Sequence, residues 1–421
     1  MLITHAEPMA STAQASAPAC RLCGARLHRS LIDLGCLPLA NRTIAADATN
    51  DKPYPLHARI CDTCTLVQVD EVAPPETIAA PRPSLSSRWV GGLTQARRYA
   101  DTMRKRLRLG SESLVIEVGS NDGNLLRHFR AAGIPVLGIE QAPIAAAAAA
   151  EIGIPTEVIG FNTETAMDVA VRHGSAALVI ANNVLQHVPD LFDFTAGLAN
   201  ILRPNGVLGL QVPYLLSLVR KVQFDAFRHD CYTYISLRVL EHLLRSVGLR
   251  VFDAELLPDH GGSLRVHACH AVGPHAARPG LKTVRLAEGF TEQERRDFYA
   301  GFGDRAAMAR DDIRDFLRNR RAAGRRVAAF GAATRGSTLL NVCEITTREI
   351  DCVGDLDPAR HGRLLPGSRI PVVPLEALIA EPPDDILILP WPDTADIMLD
   401  LMKLRQHGTQ FWTALPRIAR V

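Results

Sequence analysis

The chain has 421 residues, 47% of them hydrophobic and 22% charged, a balance that suits a folded globular protein and excludes a largely disordered, collagen-like or coiled-coil chain. At roughly 150 residues per domain, this length predicts two to three domains, each able to bury a core. Lys and Arg number 47 against 45 Asp and Glu, with no basic block long enough to follow a phosphate backbone, so a small-molecule partner is expected and nucleic acid is not.

Residues 1–19 lack the apolar core of a secretory signal and are expected to be a disordered tail on a cytoplasmic protein. The nine cysteines are an odd count partly arranged in close pairs, which points to metal ligation and core thiols rather than disulfides. Cys20 and Cys23 form one C-x-x-C pair and Cys61 and Cys64 a second, with Gly35, Pro38, Pro53 and Pro55 between them to turn the chain back. Four thiolates suit tetrahedral Zn²⁺, and a closed site of this kind cross-links a segment otherwise too small to bury much core, so a structural zinc is expected. Cys36 has no partner at ligand spacing and is expected to serve packing.

The spacing of apolar and basic residues from Leu93 to Leu109 predicts a helix leading into a second domain. That domain opens with a strand from Leu114, followed by the turn Gly119-Ser-Asn-Asp-Gly123 and the helical Asn124 to Phe129. This lets backbone approach a ligand at the carboxyl end of a parallel strand. Val136 to Glu140 reads as the next strand, and its terminal carboxylate can accept hydrogen bonds from both ribose hydroxyls of an adenosine. The turn is not G-x-G-x-x-G, and its Asp122 would repel a pyrophosphate but could meet the amino group of a methionine moiety, so S-adenosylmethionine is favoured over NAD. Asn121 lies in the same turn. Glu117 fits this environment too, either toward the cofactor or as support for the turn. The apolar run Ile144 to Ala150 is far short of the roughly 20 residues that span a bilayer, and no membrane span is expected.

Ala177 to Asn182 reads as a fourth strand, which places Asn182, Asn183 and His187 at the sheet edge where doubly wound folds bind ligands. Gly206 to Val212 reads as another strand, closed by Pro213 and Tyr214. His260-Gly261-Gly-Ser263 lies between predicted strands, and its paired glycines permit close backbone approach to a ligand or make a tight turn. Ala271 to Leu286 has a linker-like mixture and marks a boundary. Beyond it, Arg326 to Gly331, Ile350 to Asp355 and Ile386 to Pro390 read as strands of a second Rossmann-like unit.

Taken together, these residues resemble a family of three-part sugar C-methyltransferases that act on nucleotide-linked deoxyketosugars. The resemblance covers nearly the whole chain after Cys20. It rests on the four cysteines with Leu37-Pro-Leu-Ala-Asn41 between them, the Glu117 to Gly123 turn, Asn182-Asn-Val-Leu-Gln-His187, Gln211-Val-Pro-Tyr214 and His260-Gly-Gly-Ser-Leu-Arg265. In the last third it rests on Gly331 to Asn341, Asp357-Pro358 and Gly362 to Gly367. It implies an α/β fold with a small zinc-binding N-terminal domain (20–75), a central Rossmann-like class I S-adenosylmethionine methyltransferase domain with a helical lead-in (76–272), a linker and helix (273–322), and a Rossmann-like C-terminal domain that helps hold the sugar nucleotide (323–421). It also implies removal of a proton alpha to the sugar ketone and attack of the enolate carbon on the sulfonium methyl, chemistry for which the zinc is not required. Glu117, Gly119, Asn121, Asp122, Gly123, Glu140, Asn182 and Asn183 would hold the cofactor. Tyr214, His260, Gly261, Arg335 and Asn341 would meet the substrate, with Arg335 placed for a phosphate where the family has Lys, or else capping a helix at the surface.

The chain departs from the family in two places. Where the family has Tyr-His-Glu-His, with the last His as its favoured base, this chain has Arg228-His229-Asp230-Cys231. A tyrosine-rich segment before the central domain is represented by 80–88, which holds no Tyr. His187, His229 and Asp230 are therefore the candidates for proton transfer or substrate polarisation, with a thiolate at Cys231 as a further base. O- or N-methylation, which needs less carbon-acid activation, and a non-catalytic sugar-nucleotide-binding protein are the alternatives.

Overall fold

The computed structural model describes residues 18–48, 51–79, 85–88 and 90–421. Residues 1–17 of the expected tail, and 80–84 of the Tyr-free segment, lie outside them. Residues 18 and 19 belong to the first knuckle rather than to a tail: the Pro18 carbonyl accepts from Leu27 N at 2.9 Å, and Ala19 bridges to Arg26.

Three antiparallel strands open the molecule: β1 (Arg29–Pro38), β2 (Pro53–Ile60) and β3 (Val67–Val69). The pairing of β1 with β2 slips between Asp33 and Cys36, around Gly35 at φ +73°. That irregularity sits beside Cys36, which is exposed rather than packed.

The central segment supplies β4 (Val115–Val118), β5 (Val136–Ile139), β6 (Thr156–Glu157), β7 (Ala176–Asn182), β8 (Leu202–Pro213), β9 (Thr233–Tyr234), β10 (Leu249–Leu257) and β11 (Ser263–His270). Every side chain of β4 and β5 is buried, as parallel strands covered on both faces require. The helices between them start on local signals: Pro143 opens Pro143–Glu151, Asn162 and Thr165 close a capping box on Thr163–His173, and the Asp190 carboxylate accepts from Phe192 N and Asp193 N ahead of Leu191–Ile201. The expected lead-in helix runs from Val90 to Leu107.

Seven strands form one sheet in the order β10-β11-β8-β7-β4-β5-β6, parallel from β6 through to β8 and antiparallel at β11 and β10. Strand order reverses between β4 and β7, which opens the crevice where such sheets bind ligands. The remaining central strand, β9, leaves this sheet and pairs with β3, completing a four-stranded sheet β1-β2-β3-β9.

The segment 271–286, expected as linker, becomes a helix at Pro279 (Pro279–Ala287), with Leu281 and Val284 buried. Helices Glu292–Tyr299 and Phe302–Ala322 follow. The last sheet contains β12 (Val327–Phe330), β13 (Val353–Asp355), β14 (Val372–Pro374), β15 (Asp385–Ile388), β16 (Gln410–Thr413) and β17 (Ala419–Arg420), in the order β14-β13-β12-β15-β16-β17. All pairs but the last are parallel, the second doubly wound unit that the sequence predicts. One continuous apolar core reaches from Cys20 to Leu415. Among the described residues no helix is long and apolar enough to cross a membrane.

Candidate active site

At the carboxyl end of β4 the chain turns through Gly119 and Gly123, at φ +70° and +71°, with Asn121 also left-handed at +50°. A Cβ on Gly119 would stand 2.5 Å from Val184 Cγ2, so only glycine lets this turn close against the segment after β7. Glu140, just past β5, accepts from Asn121 N at 2.9 Å and from Ala142 N at 2.8 Å. Asp122 accepts from Ser87 N at 2.9 Å and from the Ser86 hydroxyl. Ser86 N also donates to Asn121 Oδ1 at 2.9 Å, so a short helical turn (Ser86–Arg88) lies against Asn121 and Asp122, a contact the sequence did not signal.

Glu117, 6% exposed, has one carboxylate oxygen with no hydrogen-bond partner. Burial, with Asp122 and Glu140 nearby, holds its carboxyl well above the ordinary range. Asn182, at the end of β7, has an unpartnered buried side-chain oxygen as well. Asn183 is left-handed at φ +57° and its N–H donates to Gln211 O at 2.8 Å. Two carboxylates held by uncharged N–H and O–H donors, Asp122 and Glu140, together with the orphaned oxygens of Glu117 and Asn182, fit a ligand carrying ammonium and sulfonium charges. These residues therefore fit S-adenosylmethionine.

In the N-terminal module, Cys20 Sγ lies 3.4 Å from Cys64 Sγ and Cys23 Sγ 3.5 Å from Cys61 Sγ, and all four sulfurs fall within 4.8 Å of one another. Zn–S bonds of about 2.3 Å at tetrahedral angles separate sulfurs by about 3.8 Å, within that span. Leu22 N and Cys64 N point at Cys20 Sγ and Cys61 Sγ, donors that suit metal-bound thiolates. The donor set fits zinc.

His187 lies in the turn after β7, and the backbone joins it to the 228–232 segment: Tyr232 N donates to Gln186 O at 2.8 Å, and His187 Nδ1 meets the Asp230 carbonyl. Around His187, Asp230 Oδ2 and Cys231 Sγ each stand 3.9 Å from Nδ1. Arg228 closes the group, with Nη2 donating to Cys231 Sγ at 3.0 Å and Nε 3.1 Å from Asp230 Oδ1. Burial disfavours a charge on His187, but the Cys231 sulfur and Asp230 outweigh it and push the imidazole up to about 9. Burial likewise raises the Cys231 thiol, yet Arg228 and His187 bring it below its ordinary value.

Other expected site residues are placed elsewhere. His229 is 4% exposed and directs Nε2 to the Tyr54 carbonyl in the N-terminal sheet, 3.2 Å away, while burial lowers its pKa. Tyr214 is buried in the core beside Glu288, which with burial raises its pKa, so its ring is not offered to a ligand. Arg335 is committed rather than free for a phosphate: Nε and Nη2 grip Asp225 at 2.9 and 2.8 Å, Nη2 also meets Gln223 Oε1, and Nη1 donates to the His260 carbonyl. Trp391 Nε1 donates to the same Asp225 at 3.0 Å. Of the expected pair His260 and Gly261, His260 meets Arg335 through its carbonyl, while the neighbouring Gly261 carbonyl accepts from Lys221 and Gln223. Asn341 is spent on the carbonyls of Ser337 and Pro366. A buried Asp225 gripping a distant arginine leaves no local sequence signal, and for that reason sequence reasoning passed over it.

Three family models match the chain in succession: a zinc binding domain at residues 20–78, a methyltransferase domain at 93–254 and a C-methyltransferase C-terminal domain at 258–416. C-methyltransferase NovU of Streptomyces niveus is 33% identical over 399 residues, covering 94% of this chain and 95% of that one. Among solved structures, magnesium protoporphyrin IX methyltransferase of Synechocystis is 14% identical over 46% of this chain and 91% of that one, with a TM-score of 0.36. The 1,6-didemethyltoxoflavin-N1-methyltransferase of Burkholderia thailandensis is 19% identical over 49% and 94%, with a TM-score of 0.33. Because the likeness to NovU runs through all three matched regions, the chain belongs to the C-methyltransferase family, as an S-adenosylmethionine-dependent enzyme with a zinc-binding N-terminal domain.

Proposed function

We propose that this enzyme is cytoplasmic and methylates a carbon next to the ketone of a nucleotide-linked deoxyketosugar, through an enolate. The observation that carries the reading is the packing of Val184 against Gly119: the short segment that leads from Asn182 to His187 lies on the cofactor turn itself. Bound S-adenosylmethionine supplies an electrophilic methyl group. Glu117 and Asp122 face its cationic end and Glu140 its ribose, with Gly119, Asn121, Gly123, Asn182 and Asn183 shaping the cradle. Asp230, steadied by Arg228, takes the proton alpha to the ketone at a carboxylate oxygen, and His187 holds the oxygen on which the charge develops.

The boundaries 20–75, 76–272, 273–322 and 323–421 are kept for the zinc-binding, cofactor-binding, connecting and sugar-nucleotide-holding parts. Arg335 acts in that scheme as the clasp between the cofactor-binding and sugar-nucleotide-holding parts. Four cysteines placed as metal ligands suit a reducing compartment.

Calorimetric titration with S-adenosylmethionine and a panel of nucleotides, followed by turnover with the matching 4-ketosugars, tests the proposal. Release of S-adenosylhomocysteine with a new C–CH₃ signal is expected, and Asp230→Asn should reduce turnover about 100-fold or more. A product methylated on oxygen or nitrogen, or binding of nucleotide without cofactor, would refute carbon methylation.

A further inference from the structure

The group around His187 contains four ionisable side chains, only one of which reaches far into solvent. The His187 side chain is 37% exposed and that of Asp230 is 20%, whereas residue Cys231 is 4% exposed. Nδ1 of His187 is turned inward, toward the Asp230 carbonyl and the Cys231 sulfur, so Nε2 is the ring nitrogen left for a ligand. A carbonyl oxygen accepts only, which fixes a proton on Nδ1. Arg228 reaches both Cys231 and Asp230. A donating guanidinium at 3.0 Å stabilises sulfur as thiolate, and a thiolate in turn stabilises a second proton on the neighbouring ring.

We infer that Cys231 is a buried thiolate whose task is to keep His187 doubly protonated, making Nε2–H a fixed hydrogen-bond donor to a substrate oxygen that gains negative charge. Cys231 is thus a positioning residue that acts through His187, and His187 is an electrophilic group rather than a base. The inference deepens the proposed function and rests on it for the identity of that oxygen, which is the enolate oxygen. The charged and titratable groups facing the pair are Arg228, Asp230 and Tyr234, and Tyr234 is itself raised by burial and by the Cys231 charge. With His187 pushed up to about 9 and the Cys231 thiol lowered, thiolate and imidazolium coexist between the two values. The same three donors, His187, Asp230 and Cys231, lie close enough for a metal ion, but the Arg228 guanidinium already contacts the anionic two.

The test begins without substrate. The ultraviolet absorbance of thiolate near 240 nm, taken as the difference between the zinc-loaded protein and its Cys231→Ser variant across pH, cancels the zinc thiolates and reports Cys231 alone. The difference should be present at pH 7. In parallel, the His187 ring, followed by nuclear magnetic resonance and assigned with His187→Gln, should titrate near 9 in the parent and move toward about 6.5 in Cys231→Ser. A Cys231 that ionises only above about 8.5, a His187 whose midpoint does not move, or a second equivalent of zinc per chain overturns the inference.

With S-adenosylmethionine and a panel of 4-ketosugars linked to different nucleotides, transfer by the parent should fall above about pH 9. In Cys231→Ser that falling limb should move toward neutrality, with kcat lowered more than KM is changed. A parent that shows both titrations but transfers nothing to any ketosugar refutes the substrate reading instead, a result separable from failure of the thiolate.

Discussion

Gly119 sits at φ +70°, and a Cβ there would stand 2.5 Å from Val184 Cγ2, so two penalties fall on any side chain placed there. Left-handed backbone and overpacking should together make Gly119→Ala unfold about 2 kcal/mol more easily in denaturant, with weaker S-adenosylmethionine binding because the turn is displaced. Val184 is the nearer obstacle, and Val184→Ala combined with Gly119→Ala should recover the overpacking share only. At position 231 the sulfur reverses the expected electrostatics. Where the family resemblance implies an imidazole, the proposed thiolate stabilises positive charge on His187, and a histidine that was a candidate base becomes an acid. His229, the other histidine of that segment, is consumed by the Tyr54 carbonyl and supports packing between modules.

At the scale of elements, β9 ties the zinc-binding module to the group around His187. Val67 pairs with Tyr234 and Gln68 with Thr233, and Val69 N donates to Tyr232 O at 3.0 Å, so the strand after the second knuckle holds the stretch that follows Cys231. On the other side, Arg21, between the first pair of cysteines, donates to the Pro189 carbonyl at 2.8 Å and lies 4.9 Å over the Tyr232 ring. Both edges of the His187 group are thereby braced from the zinc-binding module. Cys61→Ser should lose zinc and bring protease cleavage within 20–78, and transfer should fall at least tenfold while S-adenosylmethionine binding, which depends on β4 and β5, persists. Intact transfer in a zinc-free variant would show that the brace is dispensable.

For the whole molecule, the three sheets are tied at points remote in sequence. Ile44 bridges to Leu364, and Arg363 reaches Thr43 with two hydrogen bonds of 2.8 and 2.9 Å. Asp225 is fully buried and answered by Arg335 and Trp391 from the last unit. Removing the arginine would leave a buried carboxylate without its cation, so Arg335→Ala should cost about 3 kcal/mol, while Arg335→Lys, a point charge in place of a fork, recovers part of it. The calorimetric transition should be single in the parent and lower in temperature in both variants. Three separate transitions would mean that these ties do not couple the units.

The sequence by itself determined the elements whose causes are local. Two C-x-x-C pairs specify a metal-binding head, and Val-Ile runs ended by Gly119 or by Glu140 specify parallel strands that deliver a cofactor turn. Pro143, Asn162 and Asp190 start helices through their own backbone or side chains. The tertiary structure alone decided what depends on partners distant along the chain. The departure of β9 to the N-terminal sheet is set by pairing with β3, 165 residues away from Gln68 to its partner Thr233, and two residues carry no period to announce it. Arg335 reads as a phosphate ligand until Asp225, 110 residues away, takes its guanidinium. The raised pKa of His187 likewise follows from Cys231 and Asp230, because a pKa is set by the field of neighbours in space, and that field exists only once the chain has folded.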